Sequence, residues 1–326
     1  MLTSAATQAR KTKGRNRSRR GFLWEMRRHH ALYAMMLPGL LAFFVINYIP
    51  MGGIVIAFQD YNPVKGLFGS EWNGFENFRF FFASNSAANV TVNTICYNLA
   101  FMVLGIGLGM FSAILISQLR AKRAAAFYKS VIFLPYLISW VVAAYLLFAI
   151  LSVDKGILNR ALEEWFGVPP VQWYSVPDYW YVILPIAYVW KNAGYFAVIF
   201  YAGITGISMD LYEAAEVDGA GKLRQMISIT IPSLLPLVLT LFLLQAGKIF
   251  FAAFGDWGLF YNLPMQSGIL YTATDVIDTY VYNSLRKMND FGMSTAVGLY
   301  QSVVGCALVL VSNWAVRRFD RESAIF

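Results

Sequence analysis

Stretches about as long as a bilayer is thick, free of charge or holding a single lysine, recur along this chain. A hydrocarbon core of about 30 Å calls for roughly 20 apolar residues per helix. Such windows fall at Ala31–Phe58, within Phe80–Leu119, at Ser130–Val153, Tyr179–Met209, Gln225–Phe254 and Phe291–Val316. The second is placed from about Val90 onward, because Asn85, Ser86 and Asn89 read as a loop. The pattern predicts an all-α integral membrane protein with six transmembrane helices. The first window is too long for a signal peptide and no small-residue cleavage site follows it, so it counts as a span.

Between the windows, lysine and arginine are unevenly shared. Residues 1–30 carry nine, 120–129 four, 210–225 two and 317–326 three, whereas 59–90, 152–178 and 255–290 carry two each. The positive-inside bias then puts both termini in the cytoplasm. Residues 1–30 are expected to form a basic cytoplasmic tail, 31–318 the six-helix domain and 319–326 a second short tail. The composition of residues 1–20 predicts no fixed structure. Phe22, Leu23, Trp24 and Met26 suit residues 21–30 to a short interfacial helix.

Composition closes several classes. Of 326 residues 58% are hydrophobic and 13% charged, against about 25% charged in an ordinary soluble domain, which argues against a soluble enzyme. Cys96 and Cys306 both lie in apolar runs, and the two histidines are adjacent, at His29 and His30. Neither a disulfide framework nor a metal site is expected. The net charge of +8 is concentrated in the tail, where it reads as a topology signal that touches anionic lipid rather than as a nucleic-acid surface. Trp72, Phe75, Phe78, Trp165, Trp173, Tyr174, Trp180, Trp257, Phe260 and Tyr261 crowd the outer loops. An interfacial aromatic belt accounts for most of them, and contact with the flat faces of sugar rings is the alternative for a few. Loop 255–290 is long for a connection, and its stretch Asp275–Tyr282 is expected to form an outer helix.

The segment 210–232 between spans four and five holds the densest local signal. Asp210 and Glu213 have the spacing of a helix cap and its reciprocal partner. Ala214 and Ala215 keep one face small, and Gly219 can take the positive φ that ends a helix. A second helical stretch is expected to run to Pro232, which cannot continue a hydrogen-bonded interior.

Glu213-Ala214-Ala215, three residues, Gly219, nine residues, Ile229, one residue, then Ile231-Pro232 resembles the EAA signature of permease subunits in binding-protein-dependent type I ABC importers, EAA-x3-G-x9-I-x-L-P. Ile231 stands where that family usually has Leu, which leaves an apolar role intact. The stretches Phe58–Pro63, Gly69–Phe78, Asp278–Tyr282 and Ala296–Gly305 resemble oligosaccharide and polysaccharide permeases of the maltose-importer group, with the permeases of bacterial alginate importers as the finer likeness.

That resemblance implies a fold, partners and a mechanism. A second homologous permease subunit, two ATP-binding subunits and an extracytoplasmic solute-binding protein would complete the transporter, in a bacterial inner membrane, with a carbohydrate as substrate. Glu213, Ala214, Ala215, Asp218, Gly219, Ile229 and Pro232 would couple to the ATPase, Glu213 facing a basic residue there. This chain would bind no cofactor, ATP and Mg residing on the partner. Its only Gly-Lys pairs, Gly221-Lys222 and Gly247-Lys248, have Glu216 and Phe242 where a phosphate-cradling loop needs its first glycine.

Charge within a span costs about 2.5–3.5 kcal/mol at the helix centre, so such residues face protein or water. Lys191 and Lys248 are the candidates, each either snorkelling to an interface or offering positive charge to an anionic sugar. Asn192, Tyr195 and Gln245 could add hydrogen bonds along the path or satisfy helix packing. Gly105, Gly107 and Gly109 are expected to allow close helix approach. An ion-coupled secondary transporter is the alternative class, but none of the eighteen acidic residues falls within a predicted span. A membrane-embedded enzyme would need a reactive cluster that the chain lacks.

Overall fold

In a computed structural model of the chain, which describes residues 28–83 and 85–319, five helices are long and apolar enough to cross a bilayer, or six when a pair of helices bent by 99° is counted as one crossing. The crossings are His30–Phe58, Ser86–Ser117, the pair Lys122–Leu137 and Trp140–Leu151, Pro177–Thr205, Lys222–Ala246 and Phe291–Arg318. The tail expected at residues 1–27, with all but the last three residues of the interfacial helix expected over 21–30, and residues 320–326 lie outside the described residues.

The chain divides into two units, Met1–Ile54 and Val55–Phe326. In the first, α1 (His30–Phe43) widens into a π-turn over Phe44–Tyr48 and then tightens from Ile49. None of its α-helical residues is buried. In the second unit, a two-stranded antiparallel pair, β1 (Gln59–Asp60) and β2 (Glu71–Trp72), sets Gln59 opposite Trp72. Helix α2 (Glu76–Ala83) secures it, since Asn77 Nδ2 donates to the carbonyls of Ala57 and Gln59, each at 3.0 Å.

The core forms around α3 (Asn85–Ser117) and α7 (Trp180–Thr205). Phe101 and Tyr188 stack 4.1 Å apart. A Cβ on Gly109 would stand 2.3 Å from Phe196 Cβ, and one on Gly105 2.9 Å from the Phe196 ring, so these two glycines set the approach. Gly107 has open space beside it and takes no part, contrary to expectation. Helix α3 also starts earlier than expected. Asn89 is not a loop residue but donates to the Thr272 carbonyl, and Asn93, inside the expected span, donates to those of Thr272 and Asp275, so their polarity serves a helix-to-segment contact.

The third crossing is broken. After α4 (Lys122–Phe133) a tight turn over Leu134–Leu137 contains Pro135, and α5 (Trp140–Leu151) restarts at 99° to the first half. Ser139 caps the restart by accepting from the Val142 N–H at 3.3 Å. Helix α7 meets the break through Gly194, where a Cβ would sit 2.0 Å from the Ile132 carbonyl oxygen.

Past α6 (Ile157–Phe166) and α7, the chain makes an elbow, α8 (Met209–Val217), and continues into the fifth crossing, whose main helix is α9 (Ile231–Ala246). This crossing starts at Lys222 and passes through Pro232 rather than ending there. A proline ring collides with the carbonyl four residues earlier, here Ser228. A π-turn over Met226–Thr230 opens the backbone at that point and absorbs the conflict. The helix stops at Ala246, short of the expected Phe254. Short α10 (Gly258–Asn262) follows, then α11 (Ile277–Lys287), the expected outer helix displaced by a few residues, and α12 (Phe291–Phe319).

Gly194→Val should cost more than the roughly 1–3 kcal/mol of ordinary overpacking, because it meets backbone rather than a movable side chain. Gly107→Val should leave the melting temperature of the detergent-purified protein unchanged. Equal melting of the two variants would disprove this packing scheme.

Candidate functional site

The elbow is built by its own backbone. Helix α8 begins after Ser208, so Asp210 lies in the first helical turn and not at the cap, and no side chain caps this end. Its carboxylate still suits the positive end of the helix. At the other end the Gly219 N–H donates to the Glu216 carbonyl at 3.0 Å and the Ala220 N–H to the Ala215 carbonyl at 2.8 Å. With Gly219 at φ +77° this is a Schellman closure. No other group comes within 4 Å of a Cβ built on Gly219, so the requirement for glycine is purely torsional.

Two contacts fix the elbow to the crossing that follows. Tyr212 Oη and Thr230 Oγ1 lie 2.9 Å apart, and Gln225 Nε2 donates to the Ala220 carbonyl at 3.0 Å. Outward it presents Met209, Leu211, Val217 and Leu223, with Val217 89% exposed. Glu213, Ala214 and Asp218 are exposed among them, and Ala215 is half-buried. Ile229 is half-buried and Pro232 exposed on the helix behind. A surface of exposed aliphatics, carboxylates and small alanines is suited to a protein partner.

The other candidates gather around the broken third crossing. Lys191, midway along α7, is only 6% exposed, which rules out snorkelling. Its Nζ donates to the Tyr136 carbonyl at 3.1 Å and lies 5.1 Å from the Tyr136 ring centroid and 5.0 Å from that of Trp140. The break leaves that carbonyl without a helical donor, and the ammonium supplies one while two aromatic faces stabilise its charge. Tyr195 stacks on the same Tyr136 at 5.0 Å and keeps part of its ring exposed. Asn192 donates to the Tyr188 carbonyl of its own helix. Gln245 is buried with its Nε2 unpartnered, and Lys248 is exposed just beyond α9. Sequence reading missed Tyr136, Trp140 and Asp256, to whose Oδ2 Trp140 Nε1 donates; the signal available was Pro135 inside an apolar run.

Beyond α9 the chain is unwound yet held from three sides. Asn98 Nδ2 donates to the carbonyls of Ile249 and Phe251, and Gln301 Nε2 to that of Phe250. Asp278 accepts from the Ala252 N–H and from Gln301. Burial raises the Asp278 carboxyl above its ordinary range, against these two hydrogen bonds. Burial likewise pushes Asp275 up to about 6, although Thr279 donates to it.

Residues 105–323 match the family described as binding-protein-dependent transport system inner membrane component. The polygalacturonan/rhamnogalacturonan transport system permease protein YteP of Bacillus subtilis (strain 168) is 33% identical over 291 residues, which are 89% of this chain and 89% of that one. Two crystal structures of bacterial alginate ABC transporters contain a chain of the same fold, each with a TM-score of 0.81 and covering 91% of this chain and 98% of theirs. One, in complex with an alginate pentasaccharide-bound periplasmic protein, is 28% identical. The other, described as importing the acidic polysaccharide alginate, is 30% identical.

Two measurements follow from this geometry. Lys191→Met removes a charged donor worth about 1.5–3 kcal/mol, so amide exchange across 134–140 should accelerate at least about tenfold; unchanged exchange would show that the Lys191–Tyr136 bond does not hold the break together. Asp275 ionises in the folded state only at a cost, because its pKa is raised. Stability should therefore decline as pH climbs from about 4 through 6, by up to about 3 kcal/mol. Asp275→Asn should flatten that decline in melting curves taken between pH 4 and pH 7.

Proposed function

The chain belongs to the family of binding-protein-dependent transport system inner membrane components, and from that membership we propose that it is one of two membrane-spanning halves of an ATP-driven saccharide importer. An ion-coupled carrier, the alternative that composition left open, belongs to a different class of transporter. A second permease encloses the path with this one, two ATPase subunits power it from the cytoplasm, and an extracytoplasmic binding protein delivers the sugar. The charge bias of the loops supports cytoplasmic termini.

The observation that carries this reading is the elbow. Glu213, Ala214 and Ala215 stand on a short helix closed by a left-handed turn at Gly219, and the elbow is tied by Tyr212 and Thr230 to the start of a crossing. Glu213 pairs with a basic groove residue of the ATPase, and the exposed aliphatics bury against it. Asp218 lies on the same rim, while Ile229 and Pro232 transmit displacement into α9. Closure of the ATPase pair can drive the switch only through contacts that differ between the two states, and a stiff elbow converts that difference into helix movement.

The substrate is a saccharide of several units, with a uronate polymer such as alginate or polygalacturonan as the reading supported by the relatives' names. Tyr195, Gln245 and Asn192 line its path. Lys191, set behind the Tyr136 ring, contributes positive potential there, and Lys248 does so near the end of α9.

The test is ATP-dependent uptake of a uronate and a neutral oligosaccharide into liposomes holding both permeases and the ATPase, with binding protein supplied. Gly219→Val should lower uptake at least about tenfold while ATP hydrolysis continues. Gly219→Asn, which tolerates the left-handed region, should retain most of it. Normal uptake by Gly219→Val would refute the coupling role, and absence of wild-type uptake of either sugar would refute the function.

A further inference from the structure

At the end of α9 opposite the elbow, three aromatic side chains converge. Trp257 and Tyr261 lie 5.2 Å apart, Trp257 and Tyr282 5.0 Å, and Tyr261 and Tyr282 5.0 Å between ring centroids. They come from α10 with the residue before it and from α11, and each is only half-buried.

Beside this cluster a cleft of about 170 Å³ opens between α5 and the outer segment. Its walls are Val141, Ala144 and Tyr145 on α5, and Tyr261, Asn262, Met265 and Gln266 facing them. The lining mixes phenol and amide groups with ring faces, unlike the almost wholly apolar cavity formed on the other side of α5. Met265 and Gln266 both hold positive φ, +54° and +52°, a conformation that non-glycine residues rarely adopt and that recurs at ligand clamps. Gln266 is held exposed at the cleft by that backbone. Just behind Tyr261 and Gln266, Asn283 presents a buried side-chain oxygen with no hydrogen-bond partner. Positive charge is also at hand. Lys287, exposed, donates to Tyr271 Oη at 2.9 Å, and its charge acts on Tyr261.

Aromatic faces joined to a few fixed polar groups suit a ligand that is itself two-faced, flat and apolar on one side and hydroxylated at the edge. We propose that the cleft between Tyr145 and the Tyr261–Gln266 segment is an outer saccharide subsite. It takes one pyranose unit against Tyr145 and Tyr261, with Asn262 and Gln266 bonding its hydroxyls and Lys287 favouring a carboxylated sugar. This assignment rests on the saccharide-importer reading and adds to it a place where the incoming chain is gripped before the central path. Met265 and Gln266 hold the amide in position, and Trp257 and Tyr282 buttress Tyr261.

The experiment uses the complete transporter in liposomes with its binding protein, measuring uptake of a uronate and a neutral oligosaccharide. Tyr145 and Gln266 are exposed, so Tyr145→Ala and Gln266→Ala leave the packed core untouched. Each should raise the KM at least about fivefold with kcat within about twofold, the signature of lost binding shared by ground and transition states. Lys287→Ala should raise the KM for the uronate only, and Lys287→Arg should restore it. In a variant lacking Cys96 and Cys306, a cysteine introduced by Gln266→Cys should react with a maleimide more slowly when saccharide is present. Wild-type KM values for both alanine variants, together with unprotected labelling, would overturn the subsite while the wild-type transport rate still upheld the importer. Equal effects of Lys287→Ala on both sugars would overturn the carboxylate preference.

Discussion

Hydrocarbon offers no hydrogen bonds, so every backbone donor and acceptor that a crossing segment frees must be answered by the protein itself. Among the described residues several helices are interrupted, and at two of these places polar side chains answer the freed backbone directly. At the broken third crossing the answer is the Lys191 ammonium on the Tyr136 carbonyl. Before Pro232, a π-turn replaces the straight helix, and Tyr212 bonds to Thr230 at its end. After Ala246, Asn98, Gln301 and Asp278 hold four successive residues of unwound chain. Lys191, Asn98 and Gln301, polar residues buried inside this apolar protein, are thus the counterparts of its irregularities.

The same accounting separates what could be read from the amino-acid sequence and what could not. Six crossings and the elbow were legible because their signals are local: a run of apolar residues has a length, and Gly219 sits where a short helix has to end. The start of α3 was not, since Asn85, Ser86 and Asn89 look like loop residues until Thr272 is seen opposite Asn89. Lys191 stood out as a charge in a span, yet its partner is a carbonyl freed by a break 55 residues earlier. Asn98 and Gln301 gave no signal, because an amide in a helix says nothing about which distant backbone it serves. Pro38, Pro185 and Pro236 all stay within helices, so Pro135 did not by itself announce a bend.

The two ends of α9 also contrast in kind. At the elbow the contacts are aliphatic and carboxylate, small and shallow, suited to a protein surface. At the opposite end they are ring faces, amides and phenols around a cleft, suited to a hydroxylated solute. A single helical crossing therefore links a surface of one chemistry to a surface of the other, and the unwound stretch 247–256 lies between the helix and the second of them. Ala253, Phe254 and Gly255 all hold positive φ there, so that stretch has its own defined backbone and is not slack chain.

The Schellman closure at Gly219 has a thermodynamic consequence for assembly. Its hydrogen bonds are all made within the chain, and no neighbouring group presses on the glycine. The shape is thus present before any companion arrives, and association need not freeze a floppy segment. In the docking proposed above, an elbow that is already rigid would spend its interaction energy on affinity and little on its own ordering.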